Sequence, residues 1–281
     1  MSAHTKAVIL LLCTALLWST GGVFIKWITW HPLAIAGMRS AIAALVLWAV
    51  LGRPRFTWSW MQVSGAGAHA ASVLLYVTAT KLTTAANAIV LTYTAPIYVA
   101  LCSAWLLREP VTSVDWLAIL VVIVGMTLFF FDQLTWAGWW GNVCAMGGGM
   151  AFAWVVLSMR KQHQASSLET VLLGNVLAAL VGLPYMWQQP PTDVTSWLAL
   201  GLSGTMQLGL SFVLYSIAMK RVSAVEAILI PAIEPILNPL WVVLFIGEIP
   251  GGWALLGGTL VILALTARGL VVPRPPQPSL R

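Results

Sequence analysis

Long apolar stretches, separated by short polar or charged turns, follow one another along almost the whole chain. Ten of them are long enough, or nearly so, to cross a hydrocarbon core as a helix, which takes about 20 residues. The pattern therefore predicts an all-α integral membrane protein. The predicted spans, numbered 1 to 10, are 6–27, 32–51, 58–80, 84–107, 113–131, 136–158, 168–187, 195–219, 223–246 and 252–270.

The second half of the chain repeats the first. Residues 58–109 reappear at 197–248 with a constant offset of 139 positions. Chance explains the shared polar and proline positions poorly, and these include Tyr76 with Tyr215, Lys81 with Lys220, Pro96 with Pro235 and Glu109 with Glu248. Because each copy holds five spans, an odd number, the second copy enters the membrane inverted. Internal repeats of this kind are frequent in transporters, whose site lies where the repeats meet.

The repeat divides the chain into two units and a tail. We place the first five-helix repeat at 1–132 and the second, inverted repeat at 133–272. Residues 273–281 are rich in proline, which cannot continue a helix, so they are predicted to form a disordered cytoplasmic tail.

Composition and charge support the membrane assignment and set its orientation. Apolar residues make up 60% of the chain and charged residues 8%, with a mean hydropathy of +0.91, which excludes a soluble domain. The net charge of +6 comes from scattered basic residues and does not form a nucleic-acid patch. Eleven of them fall in the segments on one side of the membrane and two, Lys26 and Lys81, on the other. The positive-inside rule then predicts that both termini are cytoplasmic.

Patterns for catalysis and cofactors are weak. Cys13, Cys102 and Cys144 lie inside predicted spans without metal-ligand spacing and suit packing. Residues 201–204 have the GxSG form of the rhomboid intramembrane proteases, but no histidine follows Ser203. Phosphate-binding loops, Rossmann fingerprints and zinc spacings are absent from the sequence. We therefore predict neither enzymatic activity nor a cofactor, and transport that does not use ATP.

Polar and aromatic side chains recur at helical spacing in several spans, so that they share a face. Lipid offers polar groups no hydrogen bonds, and such faces are expected to line the bundle interior. The alternative for any single Ser, Thr, Asn or Gln is a bond between neighbouring helices. The candidate substrate-binding residues are Trp18, His69, Ser72, Tyr76, Thr94, Tyr98, Trp154, Gln207, Ser211, Tyr215, Glu234, Asn238 and Trp241.

Three ionisable residues, Arg39, Glu226 and Glu234, lie where a bilayer would penalise each by about 2.5–3.5 kcal/mol if unpaired and central. Glu226 lies one turn inside the membrane, within reach of Lys220 or Arg221. Glu234 is the better candidate for function, because it is near mid-span and Pro235 after it frees a backbone carbonyl. The alternative is a static ion pair between Glu234 and Arg39.

Short motifs along the whole chain resemble the drug/metabolite transporter superfamily, and within it the ten-helix EamA-type exporters. The motifs are Ala15-Leu16-Leu17-Trp18-Ser19, Arg39-Ser40-Ala41, Ala95-Pro96-Ile97-Tyr98, Leu106-Leu107-Arg108-Glu109 and Ile233-Glu234-Pro235-Ile236. The resemblance implies a basket of two inverted five-helix repeats around a cavity lined by spans 1, 3, 4, 6, 8 and 9. It also implies export of amino acids and related metabolites across the bacterial inner membrane.

These observations predict a multi-pass secondary exporter of amino acids, aromatic ones included, that works by alternating access. Aromatic walls suit a flat or amphipathic solute, and the chain resembles the aromatic amino-acid branch of the family. The expected partners are a small-molecule substrate and the lipid bilayer, not nucleic acid, in a monomer or weak homo-oligomer. Two alternatives stay open: a small-cation multidrug exporter with Glu234 as charge partner, and a non-transporting scaffold or receptor.

Overall fold

The computed structural model describes residues 2–131, 134, 136–162, 167–237 and 252–271. Over these ranges the chain forms helices joined by short turns, with no strand among the described residues. The predicted all-α class is confirmed. Two candidate site residues, Asn238 and Trp241, and the tail 273–281 lie outside the described residues.

The described residues of the first half fold into seven helices and one π-helical turn. They are α1 (Ala3–Ser19), α2 (Gly21–Trp27), α3 (Pro32–Leu51), α4 (Trp60–Leu82), α5 (Ala85–Thr92), α6 (Ala95–Cys102), the π-helical turn Ser103–Leu107 and α7 (Ser113–Phe129). Predicted span 1 therefore corresponds to α1 and α2, and span 4 to α5, α6 and the π-helical turn.

The described part of the second half starts at α8 and is more broken. It comprises α8 (Trp139–Lys161), α9 (Ser167–Met186), α10 (Val194–Leu202), the π-helical segment Ser203–Leu210, α11 (Ser211–Met219), α12 (Ala224–Leu229), the 3₁₀ turn Ile230–Ile233, helical residues 234–237 and α13 (Gly252–Val271). Seven of the described helical stretches are long and apolar enough to cross a membrane. The count of ten spans and the placement of the termini stay predictions.

Several helices begin at a side chain that accepts a hydrogen bond from the first turn. Ser59 accepts from the Gln62 N–H at 3.2 Å before α4. Thr112 before α7 and Ser223 before α12 form full capping boxes with the acidic residue three positions later. The polar turns between the apolar stretches therefore also set where the helices start.

Prolines break two of the helices near the middle of the bundle. Pro96 carries no N–H, so the carbonyl of Thr92 loses its helical partner, and α5 ends at Thr92 before α6 starts at Ala95. In the second half Pro231 lies in the 3₁₀ turn that follows α12. It leaves the carbonyl of Ala227 without its usual donor, and the Tyr215 hydroxyl donates to this carbonyl at 3.1 Å.

Helices of the two halves pack against each other in matching pairs. α4 packs on α8 and α9, α1 packs on α11, and α3 packs on α9 and on the π-helical segment. α7 packs on α13. At two crossings the backbones touch: a Cβ at Gly182 would lie 2.6 Å from the Gly37 Cα, and one at Gly125 would lie 2.9 Å from the Gly257 carbonyl oxygen.

Ionisable side chains join α1, α7, α12 and α13 at one end of the bundle. Glu226 Oε1 lies 3.2 Å from His4 Nε2 and 3.6 Å from Arg268 Nη1. Arg268 Nε donates to Asp115 Oδ1 at 2.7 Å, and both side chains are buried. We call His4, Asp115, Glu226 and Arg268 the Glu226 network.

The expectation that Glu226 reaches Lys220 or Arg221 is wrong. Its Oε2 accepts from the Ser223 N–H at 2.9 Å in the capping box of α12. The capping box holds the Glu226 carboxyl group against the start of α12. Its other oxygen, Oε1, contacts His4 of α1 and Arg268 of α13.

A second charged cluster, the Glu109 network, lies at the same end. Glu109 Oε1 accepts from Arg160 Nε at 2.6 Å, and its Oε2 accepts from the Ala224 N–H at 2.9 Å. Arg160 Nη1 also donates to the Met219 carbonyl at 3.0 Å. A carboxylate from the first half of the chain therefore covers the N-terminus of α12 in the second half.

The other end of α8 carries an uncharged cluster, the Asn87 network. Asn87 Nδ2 donates to Thr83 Oγ1 at 3.2 Å and to Asn142 Oδ1 at 3.0 Å, and Thr83 Oγ1 donates to the same Oδ1 at 2.9 Å. Asn142 lies at the start of α8 and Arg160 near its end. At a rise of 1.5 Å per residue the two ends are about 27 Å apart.

Candidate functional site

A cavity of about 120 Å³ lies in the middle of the bundle, large enough for several water molecules or a small solute. Side chains from both halves of the chain line it. Six of the predicted site residues are among them: Trp18, His69, Ser72, Tyr76, Gln207 and Glu234. The structure therefore brings together candidates that lie up to 216 positions apart in the sequence.

Aromatic rings form one wall of the cavity. Trp18 contacts Phe152, Phe212 and Tyr215, with ring centroids 5.6, 5.4 and 5.3 Å apart. The Trp18 indole Nε1–H donates to Ser211 Oγ at 2.9 Å, which fixes the orientation of the ring. The rings stand at angles of 38° to 77° to Trp18 and form an apolar aromatic surface that suits an aromatic or aliphatic side chain.

Glu234 is the acidic residue of the cavity. Tyr93 Oη donates to Glu234 Oε2 at 2.8 Å and lies 3.3 Å from the carbonyl oxygen of Pro231. Because Pro235 has no N–H, this is the carbonyl that the sequence predicts to be freed. The carboxylate forms no ion pair with any described residue.

Arg39 is the basic residue of the cavity. It is 1% exposed, and its Nη2 donates to Gln207 Oε1. Nε and Nη1 have no hydrogen-bond partner among the described residues, and no ion pair joins Arg39 to Glu234 there. Of the two sequence-based alternatives for Glu234, the static pair with Arg39 is therefore wrong.

Gln207 reaches Arg39 from the π-helical segment Ser203–Leu210, where the wider turn changes which side chains face α3. Gly204 lies directly against α3, where a Cβ would meet Ile42 Cβ at 2.6 Å. Gly21 leaves the room that the Gln207 amide occupies. The matching stretch of the first repeat, 64–71, is regular α-helix and carries Ala68 at the position of Gln207.

His69 is buried and forms one side-chain hydrogen bond. Its Nε2 lies 3.0 Å from Asn175 Nδ2, which also donates to the Val171 carbonyl at 2.9 Å. Since Nδ2 is a donor, Nε2 accepts and the proton of a neutral ring lies on Nδ1. Gly174 permits the close approach of the two helices, because a Cβ at this position would lie 2.7 Å from His69 Cβ.

Five predicted site residues do not line the cavity. Ser211 and Tyr215 are fully buried behind its aromatic wall. Trp154 Nε1 donates to Ser64 Oγ at 3.1 Å, Thr94 Oγ1 donates to the Leu91 carbonyl at 2.7 Å, and Tyr98 packs against the apolar core. In this conformation these side chains support neighbouring helices.

Sequence reasoning left the following cavity residues out of the candidate set: Arg39, Tyr93, Phe152 and Phe212. The available signal for Arg39 was its isolation as the basic residue inside a span. The two phenylalanines carry no such signal, because an apolar ring in a membrane helix is equally compatible with a lipid-facing position. Among the described residues, no group of three or more His, Cys, Asp or Glu side chains could hold a metal ion.

A family profile, a relative in sequence and a solved structure are all similar to this chain. The sequence profile of the EamA-like transporter family matches residues 5–131 and again 139–267. An uncharacterized transporter of Archaeoglobus fulgidus is 30% identical over 89% of this chain and 91% of its own length. A solved crystal structure aligns with 97% of this chain and 100% of its own, with a TM-score of 0.81 and 22% identity, and therefore shows the same fold.

Two relatives with named activities match over part of their length. The threonine/homoserine exporter RhtA of Salmonella typhimurium is 26% identical over 68% of this chain and 64% of its own. The pseudopaline exporter CntI of Pseudomonas aeruginosa is 26% identical over 65% of each chain. The matched region thus spans less than two thirds of the length of both exporters.

Proposed function

Because this chain belongs to the EamA-like transporter family, we propose that it is a secondary exporter of amino acids, aromatic ones included, and of related metabolites. Export proceeds by alternating access between two inverted five-helix repeats, 1–132 and 133–272. The relatives that export threonine, homoserine and pseudopaline support this class of substrate. The protein is a multi-pass membrane protein, and we place it in the bacterial inner membrane with both termini in the cytoplasm.

The cavity between the two halves carries the proposal. It combines an aromatic wall around Trp18 with one carboxylate, Glu234, that has a hydroxyl partner but no cationic partner among the described residues. A solute with an ammonium group and an apolar or aromatic side chain satisfies both parts of this site. The double match of the family profile and the paired packing of helices from the two halves support alternating access between repeats.

A small-cation multidrug exporter is the second candidate. One observation favours it, the same Glu234 carboxylate beside aromatic rings, since such a site also attracts an organic cation. Arg39 in the same cavity opposes it, because a fixed guanidinium repels a solute that carries only positive charge.

Uptake into liposomes tests the proposal. The purified full chain is reconstituted, and labelled phenylalanine, tryptophan and threonine are compared with ethidium under an imposed solute gradient, with protein-free liposomes as control. We expect saturable movement of the amino acids, at rates several-fold above the control, and no movement of ethidium. Movement of ethidium alone favours the multidrug exporter, and movement of none of the four would contradict secondary transport of either class.

A further inference from the structure

Arg39 has an unusual environment for a charged group. Its side chain is 1% exposed in the middle of the bundle, and its one hydrogen-bond partner among the described residues, Gln207, is neutral. A buried charge is normally matched by an opposite charge, because removing an ion from water is expensive. Nε and Nη1 of Arg39 have no hydrogen-bond partner among the described residues, so the guanidinium keeps N–H donors for a carboxylate.

Glu234 lies in the same cavity and lacks an oppositely charged partner in the same way. Its carboxylate accepts a hydrogen bond from Tyr93 and has no cationic partner among the described residues. Arg39 and Glu234 thus face one space without pairing. Each has a neutral hydrogen-bond partner instead, an amide for Arg39 and a phenol for Glu234.

Among its described lining residues the cavity has one guanidinium and one carboxyl group, and such a site discriminates by charge pattern. A solute that carries both an ammonium and a carboxylate neutralises both groups, whereas an amine or an acid alone leaves one buried charge unmatched. The π-helical segment that brings Gln207 to Arg39 occurs in the second repeat, and position 68 of the first repeat is alanine. The Gln207 contact to Arg39 therefore arises where the repeat symmetry is broken.

We propose that this cavity binds its solute as a zwitterion, with Arg39 and Gln207 receiving the carboxylate and Glu234 and Tyr93 receiving the ammonium. The aromatic wall around Trp18 then contacts the side chain of the solute. The inference rests on the proposed function, amino-acid export, and extends it by assigning each charged group of the solute to its residue.

Three probes with the same ring separate the charge contributions: phenylalanine, phenethylamine, which lacks the carboxylate, and 3-phenylpropionate, which lacks the ammonium. Equilibrium binding to the full chain in micelles is measured for each. We expect phenylalanine to bind about 30-fold or more tightly than either analogue, because each analogue leaves one buried charge without its partner. This series uses the unaltered protein, so it does not depend on any variant folding.

Two variants test which residue binds the carboxylate of the solute and which binds its ammonium group. Arg39→Gln should weaken phenylalanine and 3-phenylpropionate binding while phenethylamine binding rises or stays the same, and Glu234→Gln should do the reverse for the two analogues. Arg53→Gln, an exposed arginine in the turn before α4, is the matched control and should leave all three affinities unchanged.

The outcomes separate the two proposals. If phenylalanine is bound and transported but the three probes bind within about threefold of one another, well below the expected difference, the zwitterion site is refuted and the exporter stands. The same holds if Arg39→Gln affects the amine and the acid equally. If neither phenylalanine nor the other amino acids bind or move, the exporter and the zwitterion site fail together.

Discussion

The starts of α5 and α12 occupy the same position in the two repeats but carry different chemistry. Each begins after a hydroxyl cap, Thr84 or Ser223, and each has its key side chain three residues later. In α5 that residue is Asn87, whose amide joins α8 through neutral hydrogen bonds. In α12 it is Glu226, which meets His4 and Arg268 from the first and last helices.

The difference shows how one scaffold can hold its two ends with unequal strength. At the charged end the Glu226 and Glu109 networks join partly buried ions from both halves of the chain. At the other end the Asn87 network uses amides and a hydroxyl, which are weaker partners. Under the proposed cycle the two ends open in turn, so the charged end has the stronger interactions to break.

Arg268→Leu should produce the largest effect. Asp115 then keeps a carboxylate that is 4% exposed without its cation, and we expect the free energy of unfolding to fall by about 3–5 kcal/mol. Denaturant unfolding in mixed micelles measures it. Arg268→Lys is the control and should lose much less, and a Leu variant as stable as the unaltered chain would show that the Glu226 network does not hold this end.

Glu109→Ala should have an intermediate effect. The change removes the acceptor of the Ala224 N–H and the partner of Arg160, so we expect the first turn of α12 to exchange its amide hydrogens about tenfold faster. Hydrogen exchange of peptides covering 223–229 measures the change. Arg108→Ala, the exposed preceding residue, is the matched control. Equal protection in both variants would mean that Glu109 does not stabilise the helix start.

The Asn87 network should give the smallest effect. Asn87→Ala and Asn142→Ala each remove two hydrogen bonds between neutral groups, and each lost bond is expected to cost about 0.5–1.5 kcal/mol in the free energy of unfolding. A double-mutant cycle isolates the pair. A coupling energy as large as that between Arg268 and Asp115 would overturn the contrast between the two ends.

Local signals were enough to predict most helix positions. The predicted span 32–51 coincides with α3, Pro32–Leu51, because a proline start and an apolar run are both visible in sequence. Pro235 likewise indicated a freed carbonyl, and Tyr93 lies against it. Caps, prolines and apolar length are properties of a few neighbouring residues, so they can be recognised without the fold.

Partners across the bundle could not be predicted in the same way. Glu226 has basic neighbours in sequence, yet it pairs with His4, 222 positions away. Arg39 meets Gln207, 168 positions away, through a π-helical segment that nothing in its own sequence indicates. Which of several reachable partners a buried group takes depends on helix rotation, and rotation is decided by the packing of all helices together.

The glycine crossings have a mechanical consequence. At Gly37 with Gly182 and at Gly125 with Gly257 the two backbones lie in direct contact, and the nearest side chains are those of Met186 and Val261. Because glycines bring the two backbones together, few side chains have to separate when one helix rotates against the other. Each crossing joins a helix of one repeat to a helix of the other. A methyl group added at one of these glycines would force the two helices apart and hinder their relative rotation.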